Sequence, residues 1–384
     1  MAFRRAWTFA AFVLVSMTLI PAIPKADAQI DSIVIPAGSP EDNDLNAISK
    51  EQDQQKKISM YQDFLQKYAS NPQAVAYGNW QLSQYYQSTG DLQKALDYGE
   101  KAVAGSPHNL DILELQVNVA QALKDNARMF KYSVQGGEAF NSIEKQPKPS
   151  DMNDEQFASL ITSQKDENKN AYEFFEDAAF NAIASENDAK TRIDEIETFN
   201  TTFPKSKMDD QVTQYAMLSL SELHDNARLV AYANKALAAN PDNVAALLLL
   251  ANTYVNSSEP GALTKAMSYA QKAIVAAKAD DPSADKSRKI SAGVAHSVMG
   301  QAYAKQEKTV ASIGELKSAI TLLKGQDEQQ FAVAAYYLGW NYAKVNKLTD
   351  ARAILNEAAA IPGPVQQPVK ELLTKVNSAR AAGK

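Results

Sequence analysis

Side chains that could carry chemistry are few and scattered in this chain. Three histidines, His108, His224 and His296, stand at least 72 residues apart, and none takes part in a recognised metal-binding spacing. There is no cysteine, which removes a thiolate nucleophile, a zinc ribbon, an iron–sulfur cluster, a disulfide framework and an acylated lipoprotein-type cysteine. Glu173, Glu176 and Asp177 cluster, but without the ligand order of a calcium loop, so they read as a solvated helix face with calcium as the alternative. Ser219-x-x-Glu222 is an ordinary helical spacing, and neither a glycine-rich phosphate loop nor a G-x-S-x-G elbow occurs. No catalytic residue, cofactor or metal site is assigned.

The composition points to helices. Of 384 residues, 45% are hydrophobic, 22% charged and only 15 are glycine, about half the usual share of roughly 7%. A net charge of -6 offers no basic surface to a nucleic acid. The charge is unevenly spread, with 13 acidic against 4 basic side chains over 151–200, and 11 against 17 over 251–384.

Residues 1–28 read as a signal peptide rather than as structure. Arg4 and Arg5 precede an apolar run of 14 residues from Trp7 to Ile20, then Pro21, Pro24 and the small-residue site Ala26-Asp27-Ala28. A span needs about 20 apolar residues, so an uncleaved anchor is the weaker alternative. No second apolar run of spanning length follows. The expectation is an exported chain, periplasmic or secreted, with no integral membrane segment after cleavage.

The positioning elements come from a repeated pattern. Leu338-Gly339-x2-Tyr342 is followed 13 residues after the leucine by Ala351-x3-Leu355-x2-Ala358, then Pro362. The same step joins Leu82-Ser83-x2-Tyr86 to Ala95-x3-Gly99-x2-Ala102, and Met299-Gly300-x2-Tyr303 to Ser312-x3-Leu316-x2-Ala319. Ala216-Met217-x2-Leu220 leads to Leu229-x3-Ala233-x2-Ala236, and Leu250-Ala251-x2-Tyr254 to Ala266-x3-Ala270-x2-Ala273 across a longer turn. Small residues at these places let two antiparallel helices approach, and the aromatic ring fills the adjoining gap.

Four copies with one internal spacing, and a fifth whose turn is longer, make the segment from Ala76 to about Ile361 similar to a tetratricopeptide repeat (TPR) array. The resemblance to this family, in an exported bacterial form, implies an all-α fold: a right-handed superhelical solenoid of antiparallel helix pairs. Expected boundaries are an exposed tail over 29–43, an N-terminal capping helix and repeat block over 44–145, and a linker with an extra helix over 146–170. A C-terminal repeat block over 171–366 and a capping helix over 367–384 complete the chain. The N-terminal cap is read as one long helix from Asp44 to Tyr68, and the unit between Leu110 and Glu144 matches in spacing only.

In this family the first helix of each pair lines a groove, and helical geometry places the candidate side chains there. They are Tyr77, Trp80 and Gln84 in the first clear repeat, Asn252 and Gln301 in later ones, then Lys305, Tyr336, Trp340 and Lys344. Lys305 and Lys344 hold repeat-equivalent places and should project alike, forming a partial carboxylate clamp. Trp80 and Trp340 are either binding anchors or wedges between neighbouring first helices. The resemblance implies a non-enzymatic scaffold or assembly adaptor of the cell envelope that binds a protein or peptide partner. A solute- or glycan-binding module using the groove aromatics is the alternative.

Overall fold

The computed structural model describes residues 30–382, so the expected signal peptide lies outside the described residues. Among the described residues the regular structure is entirely helical: seventeen α-helices and one 3-10 turn. Two compact units divide the chain, Met1–Ala178 and Ala179–Lys384.

The first unit holds α1 (Pro40–Lys50), α2 (Gln54–Lys67), α3 (Pro72–Thr89), α4 (Leu92–Gly105), α5 (Leu110–Leu123), α6 (Asn126–Ser142) and most of α7 (Asp154–Ser185). The second continues with α8 (Ala189–Thr202), α9 (Asp209–Glu222), α10 (Asn226–Ala239), α11 (Val244–Asn256) and α12 (Ala262–Ala277). It ends with α13 (Lys286–Lys305), α14 (Thr309–Leu323), α15 (Glu328–Lys344), α16 (Leu348–Ala359) and α17 (Gln366–Ala382). The pairs α3–α4, α5–α6, α9–α10, α11–α12, α13–α14 and α15–α16 pack as hairpins, and α4, α10, α12, α14 and α16 also pack on the helix that follows each of them. Short turns force neighbours to run antiparallel. This is the all-helical, consecutive-pair architecture expected from the spacing.

One turn recurs between the two helices of a pair. Gly90, Lys124, His224, Glu307 and Asn346 all take positive φ immediately before the second helix. Where Asp follows, its carboxylate caps that helix, accepting from the backbone N–H of Lys94, Arg128 or Arg228 at 3.3, 3.0 and 3.1 Å. A left-handed residue other than glycine costs about 1 kcal/mol. Backbone bonds that close the turn, such as Asp225 N–H to Leu220 O at 3.0 Å and Lys347 N–H to Tyr342 O at 2.8 Å, offset it.

Packing within the hairpins explains the small residues. A Cβ added to Gly339 would lie 2.5 Å from Leu355 Cγ, and one on Gly300 equally close to Leu316 Cγ. Ala95, Ala251 and Ala351 are fully buried. Ser83 and Ser312 cross the same contact by hydrogen bonds, Oγ to Ala95 O at 2.6 Å and to Gly300 O at 2.7 Å.

Three expectations are corrected. The N-terminal cap is two helices, because the Glu51 carboxylate accepts from the N–H groups of Gln52 and Asp53 while Asp53 caps α2 through Lys56 N–H at 3.0 Å. The segment assigned to an exposed tail already enters α1 at Pro40, capped by Ser39, and its earlier part is docked. The linker helix and the first helix of the next block are one 32-residue helix, α7, opened by a reciprocal cap between Asn153 and Gln156. No glycine or proline interrupts its sequence. The last helix, α17, brings Val369 and Val376 into the core built by α15 and α16.

Candidate functional site

In the second unit, the outward face of α15 presents Trp340, 37% exposed, with the Lys344 ammonium 5.2 Å from its ring centroid. Lys344 also approaches Glu307 at 3.9 Å, a loose and exposed contact. Tyr336, one turn earlier, is half-buried and meets Tyr337 edge-on at 5.3 Å. Val345, at the helix end, is exposed as well. Together they form an apolar and aromatic surface bearing one positive charge, in the half of the chain where basic residues prevail.

The remaining candidates of this unit do not join that surface as an open clamp. Gln301, expected on an open face, is only 7% exposed, and its Nε2 donates to Ser297 Oγ at 3.3 Å. The reason is that α13 packs on α11 and α15 as well as on α14, so its outward face is used between repeats. Lys305 turns away from the equivalent Lys344 and donates through Nζ to Val255 O at 2.6 Å, satisfying a terminal carbonyl of α11. Asn252 is exposed and borders an open hollow of about 840 Å³ with Asn256, His224 and Asn226.

The first unit treats its candidates differently. Tyr77 and Trp80 are half-buried and meet edge-on at 6.2 Å. Tyr77 and Gln84 border a hollow of about 390 Å³ beside α2, with Lys57 and Ile58. Burial raises the Tyr77 hydroxyl above the ordinary tyrosine range. Trp80 borders another hollow, of about 330 Å³, together with Ile30, Asp31 and Ile33 of the N-terminal segment. The indole N–H of Trp80 is buried without an acceptor.

That segment is the element the sequence reading missed. Asp31 accepts from His108 N–H at 2.8 Å, Asn109 Nδ2 donates to Asp31 O at 2.8 Å, and Val34 N–H donates to Gln73 Oε1 at 3.2 Å. Ile35 packs against the core of Ile48, Phe64, Tyr68 and Ala74. A signal was present: Ile33-Val34-Ile35 is β-branched throughout, and Pro36 holds its predecessor extended.

The histidines have structural partners. His296 Nδ1 lies 2.7 Å from Glu315 Oε2, joining α13 to α14, and His224 forms the hairpin turn before α10. Of the acidic cluster, Glu173 is exposed but Glu176 is buried, so a solvated face is corrected for Glu176. The cause is the packing of α7 on α6, where a Cβ on Gly136 would fall 2.5 Å from the Phe175 ring. Among the described residues no group of three or more histidine, aspartate or glutamate side chains is placed to hold a metal ion. Nor is any helix of the described residues long and apolar enough to cross a membrane.

No protein-family model and no curated protein matches the chain. Solved structures do. The TPR domain of P58(IPK) is 14% identical over 80% of this chain and 99% of its own, with a TM-score of 0.30. The anaphase-promoting-complex hetero-tetramer Cut9–Hcn1 is 14% identical over 88% of this chain and 62% of the other, with a TM-score of 0.40.

Proposed function

We propose that this chain is a non-enzymatic scaffold or assembly adaptor that binds a polypeptide partner on the outward faces of its first helices. The observation that carries the reading is Trp340, an exposed indole beside a lysine ammonium at a place where the hairpin core has no use for it. Exposed tryptophans flanked by charge are the residues from which binding energy is drawn at interfaces. The partner segment suited to this surface carries one apolar anchor and an acidic group. Tyr336 widens the apolar platform, and Lys344 supplies the charge.

The same proposal places the chain in the cell envelope, exported by residues 1–28 as a periplasmic or secreted protein. Arginines, apolar run, prolines and the Ala26-Asp27-Ala28 site support that reading. N-terminal sequencing of the protein from its source cell should find Gln29 or a near neighbour first. Met1 intact in a membrane fraction would reverse the localisation.

The binding role is tested by capture from envelope extract on the unaltered chain and on Trp340→Ala, with mass spectrometry of what is retained. A polypeptide present on the first and absent on the second is the expected result. Retention that survives protease but not periodate would instead indicate a glycan ligand. Equal retention by a folded Trp340→Ala would remove the site from α15.

A further inference from the structure

The first unit carries a surface that the chain's own residues 30–36 cover. Residues 30–36 cannot extend α1: their β-branched run and Pro36 favour an extended backbone, and Ser39 starts the helix afresh. The segment instead crosses α3 and the start of α5. Its alternate residues Asp31, Ile33 and Ile35 are half-buried, whereas Val34 between them is 63% exposed, the period of two expected of an extended strand against a surface.

What holds it is mostly backbone recognition with a carboxylate at one end. Asp31 N–H donates to His108 O at 3.3 Å, and its carbonyl accepts from Asn109 Nδ2. Its carboxylate accepts from His108 N–H and stands 3.6 Å from His108 Nδ1. Asn109 is prepared for this, because its Oδ1 is committed to capping α5 through Ile112 N–H at 3.0 Å, which fixes the direction of its amide donor. Four residues on, Ile35 enters the apolar cluster beneath α1 and α2.

Between those two anchor points the fit is incomplete. Ile33 lines, with Tyr77 and Trp80, an unfilled hollow of about 330 Å³. The connection to α1 runs through exposed Pro36, Ala37 and Gly38, a turn closed by Ser39 N–H to Pro36 O at 3.1 Å and Gly38 N–H to the Asp42 carboxylate at 2.9 Å, which can stay in place when the segment before it leaves.

We propose that this face of α3 and α5 is a binding site for an extended polypeptide segment of the pattern Asp-x-Ile-x-Ile. Residues 30–36 act as its resident competitor, and a partner carrying that chemistry gains the site by displacing them. The site lies in the first unit and is separate from the Trp340 surface, so either assignment can fail alone.

The test uses a fluorescein-labelled peptide of residues 30–37 as probe and the full chain as receptor. Ile33→Asp should release the whole resident segment, Ile35 included, so that both isoleucine places are open to the probe. The probe should then bind this variant at least tenfold more tightly than the unaltered chain, and Trp80→Ala added to Ile33→Asp should remove most of the gain. Changing Asp31 to Ala within the probe should weaken it at least fivefold. A second receptor, deleted for residues 30–36, repeats the measurement should Ile33→Asp disturb folding, as melting curves would reveal. Equal binding by the unaltered chain and a folded variant would overturn the proposal, as would no binding by either receptor. Dimers of the unaltered chain, lost on Ile33→Asp, would also overturn it by giving the site to a second copy.

Discussion

Trp80 and Trp340 occupy the same outward face of a first helix, two residues before and two after the leucine of their repeats, yet their surroundings are opposite. Trp80 borders a hollow lined on one side by an extended segment and keeps its indole N–H out of water. Trp340 stands 37% exposed, with a lysine ammonium over its ring. The hairpins are built alike in both units, so the repeat does not decide which aromatic is free to bind. Flanking segments do: the first unit has residues 30–36 to lay across its first helices, whereas α17 of the second unit joins the hydrophobic core instead.

The contrast breaks most visibly at the tryptophans themselves. Trp80→Ala should destabilise the first unit by about 2–3 kcal/mol, less than a fully buried aromatic would lose, and be read in a denaturant melt. Trp340→Ala should leave the melt within about 1 kcal/mol but weaken a captured partner by about 2 kcal/mol or more. Reversed results, with Trp80 silent in stability, would mean that residues 30–36 do not cover it.

Ala95→Leu and Ala351→Leu test whether the two regions share one packing rule. Both alanines are fully buried at hairpin contacts, and each substitution should destabilise its unit by roughly 1–3 kcal/mol. A tolerant Ala95 beside an intolerant Ala351 would show that the first unit packs more loosely than its spacing implies.

A pH effect should separate the units further. Burial, helped by the nearby negative Glu186, raises the Glu195 carboxyl of α8 to about 7, and its Oε2 is buried without a hydrogen-bond donor. The folded state therefore holds this proton more tightly than the unfolded chain does. Stability is greatest below the unfolded value near 4.5 and is lost as pH rises towards about 7, by about 3 kcal/mol. Glu195→Gln should flatten the fall in melting temperature of the second unit between pH 5 and 8. An unchanged slope would leave the loss to other groups.

The lysines give the smallest expected effect. Lys305→Ala should lower stability by about 0.5–1 kcal/mol, because the Val255 carbonyl loses its donor. Lys344→Ala should change stability less and appear mainly as a flatter salt dependence of partner binding. Equal salt slopes for the two variants would restore the paired carboxylate clamp that the spacing suggests.

Much of the fold was legible because hairpin packing is local. A helix pair closes over fewer than 40 residues, so its small residues, rings and caps recur at fixed offsets, and Gly339 faces Leu355 as the spacing requires. The break at Asp53 and the continuity of α7 were harder. An aspartate serves equally as a surface residue or a cap, and a polar stretch without glycine or proline does not show where one helix should stop.

The sequence by itself determined the helix-pair architecture, the apolar seams and the two tryptophans on an outward face, because each follows from periodicity within one repeat. Only the tertiary structure decided what each outward side chain does. Gln301 is buried because α13 meets α11 and α15, and Lys305 is spent on a carbonyl 50 residues away. Asp31 finds its partners 77 and 78 residues downstream, at His108 and Asn109. Such contacts depend on how successive hairpins stack, a non-local geometry that no spacing within a single repeat encodes.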